Sequence, residues 1–126
     1  MPYAHFFSHL QFEGELTKLV DKNDTDLFID VCLGNAKLAS TSTIRNAFLY
    51  PTWNESYKID ICHLADQLRF NIYHKDNTIT EYIGSVEIET LRLKSGEIID
   101  KPCKILNKNG KTNGTLKIYT EFMCVT

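Results

Sequence analysis

Apolar residues recur at every second position in short runs, and this rhythm constrains the chain more than any other feature. Leu27, Ile29, Val31 and Leu33 alternate with Phe28, Asp30 and Cys32, and Leu68, Phe70 and Ile72 repeat the pattern. A repeat of two belongs to an extended strand with one face on a core, whereas a helix would space its apolar residues three and four apart. Strands are predicted at Leu10–Leu16, Leu27–Leu33, Lys37–Thr41, Ser56–Ile61, Leu68–Tyr73, Ser85–Ile88, Pro102–Leu106 and Leu116–Phe122. Gly, Asn, Asp and Pro separate them. Asn107-Lys108-Asn109-Gly110 and Asn113-Gly114 accept positive φ and predict a tight hairpin into the last strand. No long amphipathic helix is apparent, and Glu87–Leu93 offers a short turn at most. The fold class expected is all-β, an eight-stranded antiparallel sandwich.

A chain of 126 residues is one domain that buries its own core without staples. Its net charge of -2 excludes a global pull toward nucleic acid or an anionic surface, so any such attraction has to come from a local patch. Cys32, Cys62, Cys103 and Cys124 form no CxxC pair and are too sparse for a disulfide scaffold, so they read as strand residues in a reducing compartment. Met1 to Phe7 lacks the basic and apolar regions of a signal peptide, and no stretch is long enough to span a bilayer. The sequons at Asn23, Asn54 and Asn113 are accordingly expected to stay unmodified. His5, His9, His63 and His74 show no metal spacing. Cys62 and His63 are adjacent and would point to opposite faces of a strand, which excludes a nucleophile and base pair there. Glycine-rich phosphate loops are absent.

Three landmarks occur in order: Asp26-Leu27-Phe28-Ile29-Asp30-Val31, then Pro51-Thr52-Trp53-Asn54-Glu55-Ser56-Tyr57, then Tyr82-Ile83-Gly84. The set resembles a C2 domain, in which a strand opening near "DPYV" leads through a basic strand to "NPxWNExFxF", and a later acidic loop closes at "[IL]G". The resemblance runs from about Ser8 to Phe122 and sets the domain at 8–123, with 1–7 as an N-terminal extension. With Cys62-His63-Leu64-Ala65 and Ser95-Gly96-Glu97-Ile98-Ile99-Asp100 added, the chain looks most like the amino-terminal C2 domain of plant-type phospholipase D. It implies the permuted, type II strand order, with the first strand running directly into the first membrane-facing loop. His74-Lys75-Asp76 shares letters with the phospholipase D signature H-x-K-x₄-D but not its spacing, so this chain is expected not to be an enzyme itself.

The resemblance implies a Ca²⁺ site built from carboxylates on loops at one end of the sandwich. Asp26 stands at a ligand position of the first loop, Asp21 or Asp24 at another, Asp76 in the third loop, and Glu81 at the acidic position three before Gly84. Ca²⁺ takes six to eight oxygens, and Lys75 intrudes where the family keeps a carboxylate, so Ca²⁺ binding is expected to be weak or absent. The alternative is that Asp21, Asp24 and Asp26 are turn residues bonded to local backbone. The resemblance also implies a basic face for anionic lipid, phosphatidic acid or phosphoinositide, with Lys37, Arg45, Trp53, Lys58 and Arg69 as contacts. Trp53 reads equally as an anchor of the sandwich. The implied protein is cytoplasmic and peripheral to membranes, does not bind nucleic acid, and either targets a phospholipase D to lipid or serves as an adaptor for a protein partner.

Overall fold

The structure, a computed structural model, describes residues 5–15, 26–44, 52–61, 67–75, 79–89 and 98–125; for 5–15, 52, 54–61, 113 and 121–125 it describes the backbone. The strands in it are β1 (His5–Glu15), β2 (Asp26–Leu33), β3 (Ala36–Ser40), β4 (Thr52–Ile61), β5 (Gln67–Lys75), β6 (Thr80–Glu89), β7 (Ile98–Leu106) and β8 (Thr112–Val125). Each contains or overlaps the corresponding predicted run. β1 also takes in residues 5–7, which the sequence reading set outside the domain.

All neighbours are antiparallel, in the order β3-β2-β5-β6-β7-β8-β1-β4. Among the described residues β6 and β7 meet at one pair, Ser85 with Leu106. The ladder therefore divides there into two four-stranded sheets, β3-β2-β5-β6 and β7-β8-β1-β4, which close on one core. Leu27, Ile29, Phe70, Ile72 and Leu68 line it from the first sheet, and Trp53, Ile105, Leu116 and Ile118 from the second. Fully burying a side chain of this size contributes roughly 1.5–3 kcal/mol relative to leaving it exposed. β1 lies between β8 and β4, His5 pairs with Val125, and the chain passes from one sheet to the other between β1 and β2. This is the permuted order the resemblance implied.

Four irregularities interrupt the register, and those on β3, β6 and β8 decide which way the described side chains point. On β3 the register slips beside Val31 and Cys32, so Leu38 is extruded and Lys37 lands opposite Cys32 on the outer face. On β6 the slip beside Ile72 and Tyr73 inserts Ile83 as an extra residue, so Ile83 and Gly84 are both buried while Tyr82 pairs with Tyr73 on the outer face. On β8, Gly114 at φ 121° takes the extra position of a bulge opposite Ile105. Asn113-Gly114 is thus inside a strand and not in the hairpin turn predicted for it. The turn itself is made by Asn107, whose Oδ1 accepts from the backbone N–H groups of Asn109 at 2.9 Å and Lys111 at 3.0 Å.

The chain leaving β3 is stitched to β2. Ile29 N–H donates to Thr41 Oγ1 at 2.9 Å, Thr41 N–H donates to the Ile29 carbonyl at 2.8 Å, and Leu27 and Ile44 exchange bonds of 3.0 and 2.8 Å. The Thr41 hydroxyl thereby stands in for a backbone carbonyl where β3 ends, which accounts for a nearly buried polar residue at this point. Its neighbour Ser42 receives the indole N–H of Trp53 at 3.1 Å.

Candidate functional site

The loop end of the sandwich is built on the hairpin of β5 and β6. Pairing persists to Lys75 with Thr80, so residues 76–79 alone connect the two strands. Asp21, Asp24 and Asp76 lie outside the described residues. Of the remaining carboxylates implied for Ca²⁺, Asp26 pairs in register with Lys75, and Glu81 pairs with His74. His74 belongs to the inner face and is 4 % exposed, whereas Lys75 and Thr80 belong to the outer one. Alternation therefore puts Asp26 and Glu81 on opposite faces of the sheet, with an ammonium on the side of Asp26. Among the described residues no group of three or more His, Cys, Asp or Glu is placed to hold a metal ion. The oxygen set that Ca²⁺ requires is not assembled by them.

The outer face of β3-β2-β5-β6 is where the basic contacts were expected. Lys37 stands opposite Cys32, which stands opposite Arg69. The Arg69 guanidinium donates through Nε to Glu87 Oε1 at 3.1 Å, with Nη2 also 3.1 Å from that oxygen. Asp30 accepts from the Ser40 hydroxyl at 2.7 Å. Toward the loop end, Phe28 and Tyr73 stack at 5.3 Å, and Tyr73 meets Tyr82 edge-on at 5.8 Å. Burial, followed by the charge of Asp30, pushes both the Cys32 thiol and the Tyr73 phenol up, and burial does the same for the Cys103 thiol. These groups are neutral near pH 7 and supply no nucleophile.

Lys37, Arg69 and Lys75 share this face with Asp26, Asp30, Glu87 and Glu89, three positive charges against four negative ones, so the expected excess of positive charge is not there among its described residues. Lys58 is on β4 at the edge of the other sheet, paired with His9, and does not share a face with Lys37 and Arg69. Trp53 is 1 % exposed and hydrogen-bonded, so its indole is core and has no surface to give a headgroup. The anchor reading of Trp53 replaces the lipid-contact reading. Arg45 lies outside the described residues.

Residues 12–105 match the family model described as the C2 domain. The chain belongs to the C2 domain family. This C2 domain is 31% identical over 117 residues to phospholipase D alpha 1 of Vigna unguiculata, covering 92% of this chain and 14% of that protein. It thus spans about one-seventh of that relative's length. Among solved structures, a C2 domain of plant Extended Synaptotagmin 1 superposes with a TM-score of 0.78 at 19% identity, covering 100% of this chain and 98% of that one. A calcium-bound structure of two C2 domains of Extended-Synaptotagmin 2 superposes with a TM-score of 0.71 at 19% identity, covering 100% of this chain and 47% of that one. At such identities the superpositions establish the fold.

One charged feature of the C2 domain escaped the sequence reading. Where β6 and β7 diverge from their single pair, a groove of about 970 Å³ opens. Arg69, Lys101, Lys104 and Lys108 line it, facing Glu87 and Glu89. The signal was present as a stretch from Lys101 to Lys117 with five lysines and no acidic residue.

Proposed function

We propose that this C2 domain binds the surface of anionic phospholipid membranes, such as those carrying phosphatidic acid or phosphoinositide, and that Ca²⁺ contributes little or nothing. The observation that carries the reading is Lys75. It is exposed at the loop end opposite Asp26, near Ile79, which is 66% exposed just before β6. A positive charge with an apolar neighbour is what an interfacial contact needs, and here the chain supplies the charge that a bound Ca²⁺ would otherwise bring. Kinship with phospholipase D supports a role in holding such an enzyme at its substrate surface from the cytoplasmic side. A C2 domain is a binding module, so catalysis would belong to other parts of such a parent. Among the described residues no helix is long and apolar enough to cross a membrane.

Co-sedimentation with vesicles tests this. Vesicles containing phosphatidic acid or phosphoinositide should retain the domain better than phosphatidylcholine vesicles, in chelator as well as in Ca²⁺, and binding should weaken as salt is raised. Equal retention by both vesicle types would favour the adaptor reading, and retention abolished by chelator would mean that the loops hold Ca²⁺.

A further inference from the structure

Lys101, Lys104, Lys108, Lys111 and Lys117 lie along β7, the turn after it and the start of β8. With these five set aside, nine basic residues face sixteen acidic ones in the rest of the chain, so the hairpin is a cationic island on an acidic domain. All five lysines are exposed. Among the described residues none of them forms an ion pair, Glu87 being held by Arg69. Other nearby acidic residues are Asp100 beside Lys101, Glu89 across the groove, and on β1 Glu13, which pairs in register with Lys117, and Glu15, which pairs with Thr115 in line with Lys104.

We infer that the β7–β8 hairpin is the surface through which this domain meets an anionic bilayer. The inference rests on the membrane-binding reading and adds the face that is used. Strand directions provide the first argument. β6 begins and β7 ends at the same end of the sandwich, as the antiparallel pair of Ser85 with Leu106 requires. The turn at 107–111 therefore projects toward the end of the sandwich where Lys75 pairs with Thr80, which puts Lys108 and Lys111 on the side of Lys75 and Ile79, while Lys104, two residues before Leu106, lies further back toward Glu87. Leu106, 44% exposed at the base of that turn, adds an apolar side chain.

The tip is also built to hold its shape. Asn107 Oδ1 takes the N–H groups of Asn109 and Lys111, Gly110 N–H donates to the Asn107 carbonyl at 2.9 Å, and Asn107 N–H donates to the Lys111 carbonyl at 2.8 Å. Gly110 sits at φ 78° with no other atom within 4 Å of the position a Cβ would take. The turn thus keeps Lys108 and Lys111 extended into solvent without support from the rest of the domain. Register puts Lys104 and Lys117 on the outer face of the hairpin and Lys101, which pairs with Ile118, on the other. Spread along two strands and a turn, Lys104, Lys108, Lys111 and Lys117 match a plane of lipid phosphates better than a single soluble polyphosphate. Attraction should follow the charge density of the vesicle, whichever headgroup provides it.

The test replaces Lys104, Lys108 and Lys111 with glutamine in the full chain, with Lys37→Gln as a control on the other face. Each lysine near an anionic leaflet contributes a factor of roughly five, so the triple variant should bind phosphatidylserine or phosphatidic acid vesicles roughly 100-fold more weakly, and Lys37→Gln a few-fold at most. Circular dichroism and the melting temperature of the triple variant should match the parent, since none of the three side chains is packed. If the parent binds anionic vesicles and the triple variant binds as well, the hairpin is not the contact, while the membrane-binding reading stands. If the parent does not bind, both fail. Displacement from vesicles by micromolar inositol hexakisphosphate, or a strong preference between lipids at matched vesicle charge, would also overturn the inference in favour of a headgroup pocket.

Discussion

Replacing Gly84 with alanine puts a methyl group into the seam where β6 meets β7. A Cβ built there lies 2.7 Å from Cγ2 of Ile105, 2.8 Å from the carbonyl oxygen of Leu106 and 3.2 Å from its carbonyl carbon. Carbon contacts settle at about 3.5–4 Å, so both neighbours have to retreat by roughly 0.6 Å or more. Neither can do so freely: Ile105 is fully buried, and the Leu106 atoms are backbone beside the pair that joins β6 to β7. Overpacking costs about 1–3 kcal/mol, and rigid neighbours put this case near the upper end. For a domain of this length, at about 4 °C per kcal/mol, the melting temperature should fall by about 8–12 °C, measured by circular dichroism. Ile105→Ala in the Gly84→Ala background should cost less than it does alone, with a coupling above about 0.5 kcal/mol. A melting temperature within about 2 °C of the parent, or additive costs in that cycle, would refute the argument that glycine is required here for space.

His74→Asp puts a carboxylate on a side chain that is 4 % exposed on the inner face, so it should destabilise the fold by about 3–5 kcal/mol at pH 7 without creating Ca²⁺ affinity in titration calorimetry. Burial would raise the pKa of that carboxyl above its unfolded value, so the part of the penalty that comes from its charge should vanish below about pH 4 and grow as pH rises, which urea melts at several pH values would show. Trp53→Phe removes the N–H that donates to Ser42 at 3.1 Å and part of a buried ring, and should cost about 1–3 kcal/mol in denaturant melts while leaving vesicle binding of the folded protein unchanged.

Much of the fold was legible because each strand states its own inner face. Leu27, Ile29, Val31 and Leu33 are all buried, as their alternation required, and Leu68, Phe70 and Ile72 follow suit. Gly84 was recognised as a landmark, although the reason for it, the approach of Leu106, comes from a strand more than twenty residues away. The candidate site was less legible. Lys37 faces outward only because Leu38 is extruded, and a strict alternation from Ala39 would have turned it inward. The lysines of the β7–β8 hairpin were visible as composition, but nothing local to them shows which end of the sandwich they occupy.

The division follows from the range of the interactions. Alternation of side chains is a property of the extended backbone itself, so the run of residues determined that this chain forms strands and which residues meet the core. Strand neighbours, bulges and the sheet to which each strand belongs depend on contacts between residues far apart in the chain. These decided that Lys58 falls on the other sheet from Lys37 and Arg69, that Arg69 is held by Glu87, and that Asp26 stands opposite Lys75 and away from Glu81. A charge pattern read along the chain cannot anticipate them, because the net charge of a face is summed over strands that only tertiary packing brings side by side.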